Sequence, residues 1–221
     1  MTLIASIIIF LFSLFVLSKE DFVFLRKNIS LQTIFDTACL VGLASLFFSR
    51  LIFVLLHPSF AYINPFIFFI IPYFPGLTTS GFLIGGSLAL YLFSMRQKLP
   101  LGKLFDVFSL SVLPSSATFF LVMSVIFLTT KHIGFSALFL AIFLLLFIST
   151  FLLRTLAIKF SWEDGSVSLF ALSLASMSFF ISSFINSGMH ILFAELSYFL
   201  FFFFLLFLSF LVKSFRKTRQ S

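Results

Sequence analysis

Seven apolar runs, each close to the length that crosses a lipid hydrocarbon core, recur along this chain with only short polar breaks between them. They cover Thr2–Ser18, Thr37–Leu56, Ser80–Met95, Leu104–Leu128, Ile133–Leu153, Ser166–Ile185 and Ile191–Val212. A water-soluble core could not hide so much apolar surface, since 61% of the 221 residues are hydrophobic, only 10% are charged and the mean hydropathy is +1.23. In lipid every backbone polar group must find its partner inside the protein, and runs of this length do so as helices. The expectation is an all-α, polytopic membrane protein with about seven transmembrane helices. No internal repeat and no linker long enough to separate domains is visible, so residues 1–221 read as a single transmembrane helical domain.

The distribution of charge orients that bundle. A formal net charge of +7 could point to a nucleic-acid partner, but the basic residues sit in short turns with no aromatic interleaving, and membrane topology accounts for them better. With the N-terminus outside, the inside segments hold Lys19, Arg26, Lys27, Arg96, Lys98, Lys103, Arg154, Lys159, Lys213, Arg216, Lys217 and Arg219, twelve of the 14 basic residues. Only Lys131 falls in an outside loop, and Arg50 lies within a membrane segment. The excess of cations inside predicts seven spans with a cytoplasmic C-terminus.

The first run resembles a signal peptide in length, yet no basic residue precedes it, no small-residue cleavage pattern closes it and Lys19 follows at once, so it reads as a retained first helix. The outer loop after the second run, with Pro58, Pro65, Pro72 and Pro75, is apolar, but its central run is too short to span and is expected in the outer interface. Cys39 has no partner for an intrachain disulfide and belongs on a lipid- or core-facing surface. No Cys/His cluster or HxxxH spacing is present, so neither a metal nor another cofactor is expected.

A few polar residues enter the apolar runs. Arg50 stands six residues before the end of the second run, about 9 Å below the outer boundary. It can snorkel to the surface or bind a phospholipid phosphate with its guanidinium. Gly42, Ser45 and Ser49 share a helical face beside it. Gly81, Gly85 and Ala89 recur at every fourth residue, as do Ala171 and Ala175, followed by Ser178 and Ser182, which marks helix-contact faces. Asp106 follows the basic turn and reads as a cap or a carboxylate paired with Arg96, Lys98 or Lys103. Glu195 lies near the outer start of the last run, tolerable there or lining a cavity. His57, His132 and His190 all fall at outer helix ends, where an enzyme acting outside would need a base.

Read together, "TTSGFLIGGSLALYLF" and "RQKLPLGKLFD", residues 78–106, resemble the third helix and basic turn of the prolipoprotein diacylglyceryl transferases. That helix begins in the family with a Ser-Phe-His-Gly-Gly type motif. "SRLIFVLL" (Ser49–Leu56) is similar to the family's Ala-Arg-Leu segment and puts Arg50 on a family arginine. "LFALSLASMSFFISSF" and "ILFAELSYFLFFFF" are similar to its last two helices. The likeness extends over nearly the whole chain, with strong motif identity confined to residues 78–106. It implies a multi-pass protein of a bacterial plasma (inner) membrane that acts on phosphatidylglycerol and on the lipobox cysteine of a prolipoprotein. Arg50, Ser80, Gly81 and Glu195 would then contact phospholipid, and Ser80, His57 and His190 are the residues available for catalysis.

The chain departs from the family at the chemistry. Ser80 replaces the motif histidine and Phe82 its second glycine. Where the family carries Gly-Arg-x-Gly-Asn-x-x-Asn, this chain reads "FLVMSVIF", with Leu121 at the arginine and Ser124 and Phe127 at the asparagines. The sixth-helix Arg and Glu become serines, near Ser178 and Ser182. The implied reaction needs a thiolate nucleophile and fixed cations for the departing glycerol phosphate, and loss of one such stabilising contact typically costs about 10²–10³ in rate. Two readings therefore stay open, a divergent transferase and a non-catalytic lipid- or partner-binding membrane protein on the same fold. A small transporter fits less well, because no span carries paired charges or broken-helix signals.

Overall fold

The computed structural model describes residues 2–19, 21–56, 58, 76–159, 164–186 and 207. All regular structure among them is helical: α1 (Thr2–Lys19), α2 (Phe22–Arg26), α3 (Leu31–Leu56), α4 (Thr79–Arg96), α5 (Leu101–Thr129), α6 (Ile133–Lys159) and α7 (Ser166–Asn186). Three of these, α3, α5 and α6, are long and apolar enough to cross a membrane, and α1, α4 and α7 contain shorter apolar stretches. At 1.5 Å per residue the three long helices reach about 39, 44 and 40 Å, more than a hydrocarbon core of about 30 Å demands. The seventh apolar run, Ile191–Val212, lies outside the described residues apart from Phe207, as does most of the proline-punctuated loop.

The helices extend past the apolar runs at their ends. α3 begins at Leu31 rather than Thr37, taking in Gln32, Thr33 and Asp36, and α6 continues through Arg154 to Lys159. Hydropathy passes over such residues, but helical geometry tolerates them where a span meets a polar boundary.

Three of the turns stop their helices in one way. Asn28, Lys98 and Lys131 adopt left-handed backbone at φ 52°, 54° and 64°. The next amide then reaches back to a carbonyl in the last turn: Ile29 N to Phe24 O at 3.0 Å, Leu99 N to Ser94 O and His132 N to Phe127 O, both at 2.9 Å. This is the Schellman pattern, in which carbonyls left over at a helix end are satisfied by the reversal itself.

The described residues form two compact units, one of Met1–Leu31 with Pro100–Ser221 and one of Gln32–Leu99. In the first, α5 is the central helix, packed by α1, α6 and α7. Its Leu113, Ala117 and Phe120 are fully buried together with Leu146 on α6 and Ala175 on α7. Ser115 Oγ donates to Ser6 O of α1 at 2.8 Å, and Ser124 Oγ to Ser136 O of α6 at 2.9 Å. In the second unit α3 and α4 pack through glycines, as described below. Outward faces are strongly apolar: Phe12, Leu43, Leu92, Leu145 and Phe151 are each more than half exposed, and Cys39 is exposed as well. Water would not tolerate such a surface, whereas lipid does.

Candidate functional site

The Arg50 segment of α3 meets the start of α4 within the second unit. Ser49 and Thr78 clasp the two strands of chain: Ser49 Oγ donates to Thr78 O at 2.7 Å, Thr78 Oγ1 donates to Ser49 O at 3.0 Å, and Thr78 N donates to the same carbonyl at 3.3 Å. Thr78 is the residue ahead of α4 and has extended backbone, φ −99° and ψ 132°, so its hydroxyl and amide are both turned to α3 instead of capping its own helix. Both residues are 1% exposed.

Arg50 is held by the same arrangement. Its Nη1 donates to Gly76 O at 2.9 Å, and the guanidinium carbon lies 5.7 Å from the centre of the Phe53 ring, within the range of a cation–π contact. The side chain is 1% exposed. Its head turns to the chain entering α4, where a carbonyl and an aromatic face suit a weakly hydrated, planar cation. Gly76 packs so closely on the Phe53 ring that a β-carbon would overlap it.

The α4 glycines make the approach possible. A β-carbon on Gly81 would stand 2.7 Å from Phe48 O, Ser49 Cα and Thr78 Oγ1, and one on Gly86 would stand 2.5 Å from Ser45 Oγ. Gly85 abuts the Phe48 side chain just as closely. The expected small-residue contact face is therefore present at Gly81 and Gly85, extended by Gly86. Gly42, expected on the face shared by Ser45 and Ser49, has open space where a β-carbon would stand.

Other candidates sit elsewhere. Ser80 has its backbone in the first turn of α4, and its side chain is outside the described residues, as are His57, His190 and Glu195 altogether. His132 stands in the turn between α5 and α6, its ring edge-on to Phe127 and Phe135 at 6.4 and 6.2 Å. Asp106 is a cap, but for a helix 60 residues further along: Oδ2 accepts from Gly165 N at 2.7 Å and Oδ1 from Ser168 N at 2.8 Å. Lys103, one of the cations expected beside it, bonds Asp21 at 3.0 Å instead.

Ser124 and Phe127 on α5 are both taken up in packing. Ser124 Oγ is spent on Ser136, and the Phe127 ring stacks on Phe139 at 5.2 Å and 3°. Phe120 lies against Phe139 and Phe179 at 6.1 and 5.3 Å, and Phe119 against Phe179 at 6.0 Å. Ser178 Oγ bonds Leu174 O of its own helix at 2.9 Å. Among the described residues no three His, Cys, Asp or Glu gather as metal ligands.

Sequence reasoning missed Thr78 and Gly76, since nothing local marks a threonine as the partner of a serine 29 residues away. The partners of Asp106 left one signal, the Asp164-Gly165 turn just ahead of an apolar run. No family model, no curated protein and no solved structure matches the chain.

Proposed function

We propose that the chain is a divergent relative of the prolipoprotein diacylglyceryl transferases, set in a bacterial plasma membrane as seven spans with its N-terminus outside, and that it holds a phospholipid phosphate at Arg50. The observation carrying this reading is the fixed guanidinium, 1% exposed and positioned by Gly76 O next to the helix whose sequence bears the resemblance. The planar guanidinium fork matches the oxygens of a phosphate, and in a low-dielectric setting that pairing is strong. The lipid the resemblance implies is phosphatidylglycerol. In the family reaction the lipobox cysteine sulfur, as thiolate, bonds the glyceryl carbon while the carbon–oxygen bond to phosphate breaks, and glycerol phosphate leaves with that electron pair. Arg50 would stabilise the departing anion, and Ser80, His57 or His190 would have to take the thiol proton.

A specific observation favours the second reading, a non-catalytic lipid- or partner-binding protein on the same scaffold. The helix that bears the transferase signature in the family carries here the rings of Phe120 and Phe127, both stacked on Phe139, with Phe119 tilted against Phe179, an apolar layer that offers no charge to a leaving phosphate.

One preparation separates the two. Full-length protein in detergent is given phosphatidylglycerol and a lipobox peptide, and glycerol phosphate release and retained lipid are both measured. Release that Arg50→Ala abolishes supports the enzyme; retained anionic lipid without release, lost on Arg50→Ala, supports the binding protein. Lipid retention unchanged in Arg50→Ala would overturn the phosphate site in both.

A further inference from the structure

The short α2, between the apolar helices α1 and α3, is built more firmly than five residues could achieve alone, since an isolated helix of that length does not form in water. Asp21 caps it, its Oδ1 accepting from Val23 N at 2.9 Å, while Oδ2 bonds Lys103 Nζ at 3.0 Å and so ties the cap to the first turn of α5. Phe24 is 1% exposed and anchors the inner side of the helix. Asn28 closes the far end with its left-handed turn.

What this scaffold presents is a pair of bare apolar side chains flanked by cations. Phe22 is 84% exposed and Leu25 61%, and three residues apart they share one helical face. Arg26, one turn beyond Phe22, and Lys27 are exposed at the C-terminal end. Over residues 19–27 three cations accompany two carboxylates, and Asp21, one of the two, is engaged by Lys103. Two large apolar groups rigidly exposed beside two cations are poorly suited to water, and fit the boundary between lipid headgroups and acyl chains.

We propose that α2 is an interfacial anchor, laying Phe22 and Leu25 into the headgroup–acyl boundary at that end of the bundle and holding anionic phospholipid headgroups with Arg26 and Lys27. The occupant is lipid rather than a protein groove because the exposed apolar pair Phe22 and Leu25 is followed directly by two exposed cations, Arg26 and Lys27, on a chain whose other outward faces are apolar, which suits an anionic leaflet. The inference needs only that the chain is membrane-embedded, and is independent of the phosphate site at Arg50.

The test uses the full chain reconstituted in phosphatidylcholine vesicles with or without phosphatidylglycerol. Phe22→Trp, placed in a Trp162→Phe background, reports depth: blue-shifted emission quenched by lipids brominated close to the headgroup is expected. Emission as in water, quenched by aqueous iodide, would overturn the anchor and point to a soluble or protein partner. Arg26→Gln with Lys27→Gln should lower the ratio of co-purified anionic to zwitterionic lipid by up to about five-fold for each cation, the weight of one basic residue at an anionic surface. An unchanged ratio would overturn the headgroup assignment. Circular dichroism and melting in neutral detergent certify folding, and Arg26→Lys with Lys27→Arg, which keeps the charge, should retain the ratio. Arg50→Ala should leave the Phe22→Trp signal untouched, which separates failure here from failure of the phosphate site.

Discussion

Asp106 Oδ1 accepts the Ser168 amide at 2.8 Å while its other oxygen accepts the Gly165 amide at 2.7 Å, so a carboxylate on α5 closes the N-terminus of α7 from outside. Gly165, the residue ahead of α7, has no side chain with which to cap, and the two amides it would have shared in a capping box both go to Asp106. Ser168 Oγ completes the arrangement by donating to Gly165 O at 2.7 Å. Gly102 lets α5 come this close, since a β-carbon there would stand 2.8 Å from the Asp164 carbonyl. Asp106→Ala should cost about 0.5–2 kcal/mol, the range for removing a helix cap, and Asp106→Asn, which keeps one acceptor, less. Melting in detergent reads the difference, and equal losses for both variants would contradict the cap.

Each hydroxyl of the Ser49–Thr78 clasp donates to the main-chain carbonyl of the other residue. Ser49→Ala and Thr78→Val each remove one of these bonds, and each should cost about 0.6–1.7 kcal/mol, as for hydrogen bonds between helices in membranes, with the two losses close to additive. Equilibrium unfolding of the two single variants and the double variant measures them. Single variants as stable as the parent protein would contradict the clasp.

Close approach of α3 and α4 rests on Gly81 and Gly85. Gly85→Leu places a branched side chain where the Phe48 side chain already lies, and overpacking of this kind costs about 1–3 kcal/mol. Gly42→Leu on α3 meets open space and should be neutral. Protease resistance of the two variants distinguishes them; equal sensitivity would sink the assigned contact face.

Lys131 holds a left-handed conformation at φ 64° in an exposed turn. An L side chain pays roughly 1–2 kcal/mol there, and glycine does not. Lys131→Gly should therefore stabilise the protein by about 0.5–1 kcal/mol once glycine's greater freedom in the unfolded chain is set against that gain. A lower melting temperature for this variant would contradict the turn assignment.

The sequence marked the helices well where burial in lipid demands apolarity, as at Ile133–Leu153, and less well at their ends, where Gln32, Asp36 and Arg154 are compatible with helix but invisible to hydropathy. Gly81 and Gly85 were legible as a contact face because a four-residue period is local information. Asp106 was legible as a cap, yet its helix was not, since the nearest cation in sequence, Lys103, pairs with an aspartate 82 residues away. Arg50 was legible as unusual; its hold on Gly76 O depends on how the chain returns to α4, which no periodicity encodes.

Most buried serines keep their hydroxyls within their own helix: Ser45 donates to Val41 O at 2.8 Å, Ser111 to Val107 O at 2.8 Å and Ser149 to Leu146 O at 2.8 Å. Such a hydroxyl has no partner on another helix to strand, and backbone bonding of this kind adds little to helix stability. These positions are thus free to drift between serine and alanine over generations. Ser124 and Ser136 differ, because their hydroxyls meet across α5 and α6 at 3.2 Å, and descent should hold that pair together or lose both members at once. Ser115 donates to the main-chain carbonyl of Ser6, which any residue there would supply, so its partner position is free to change.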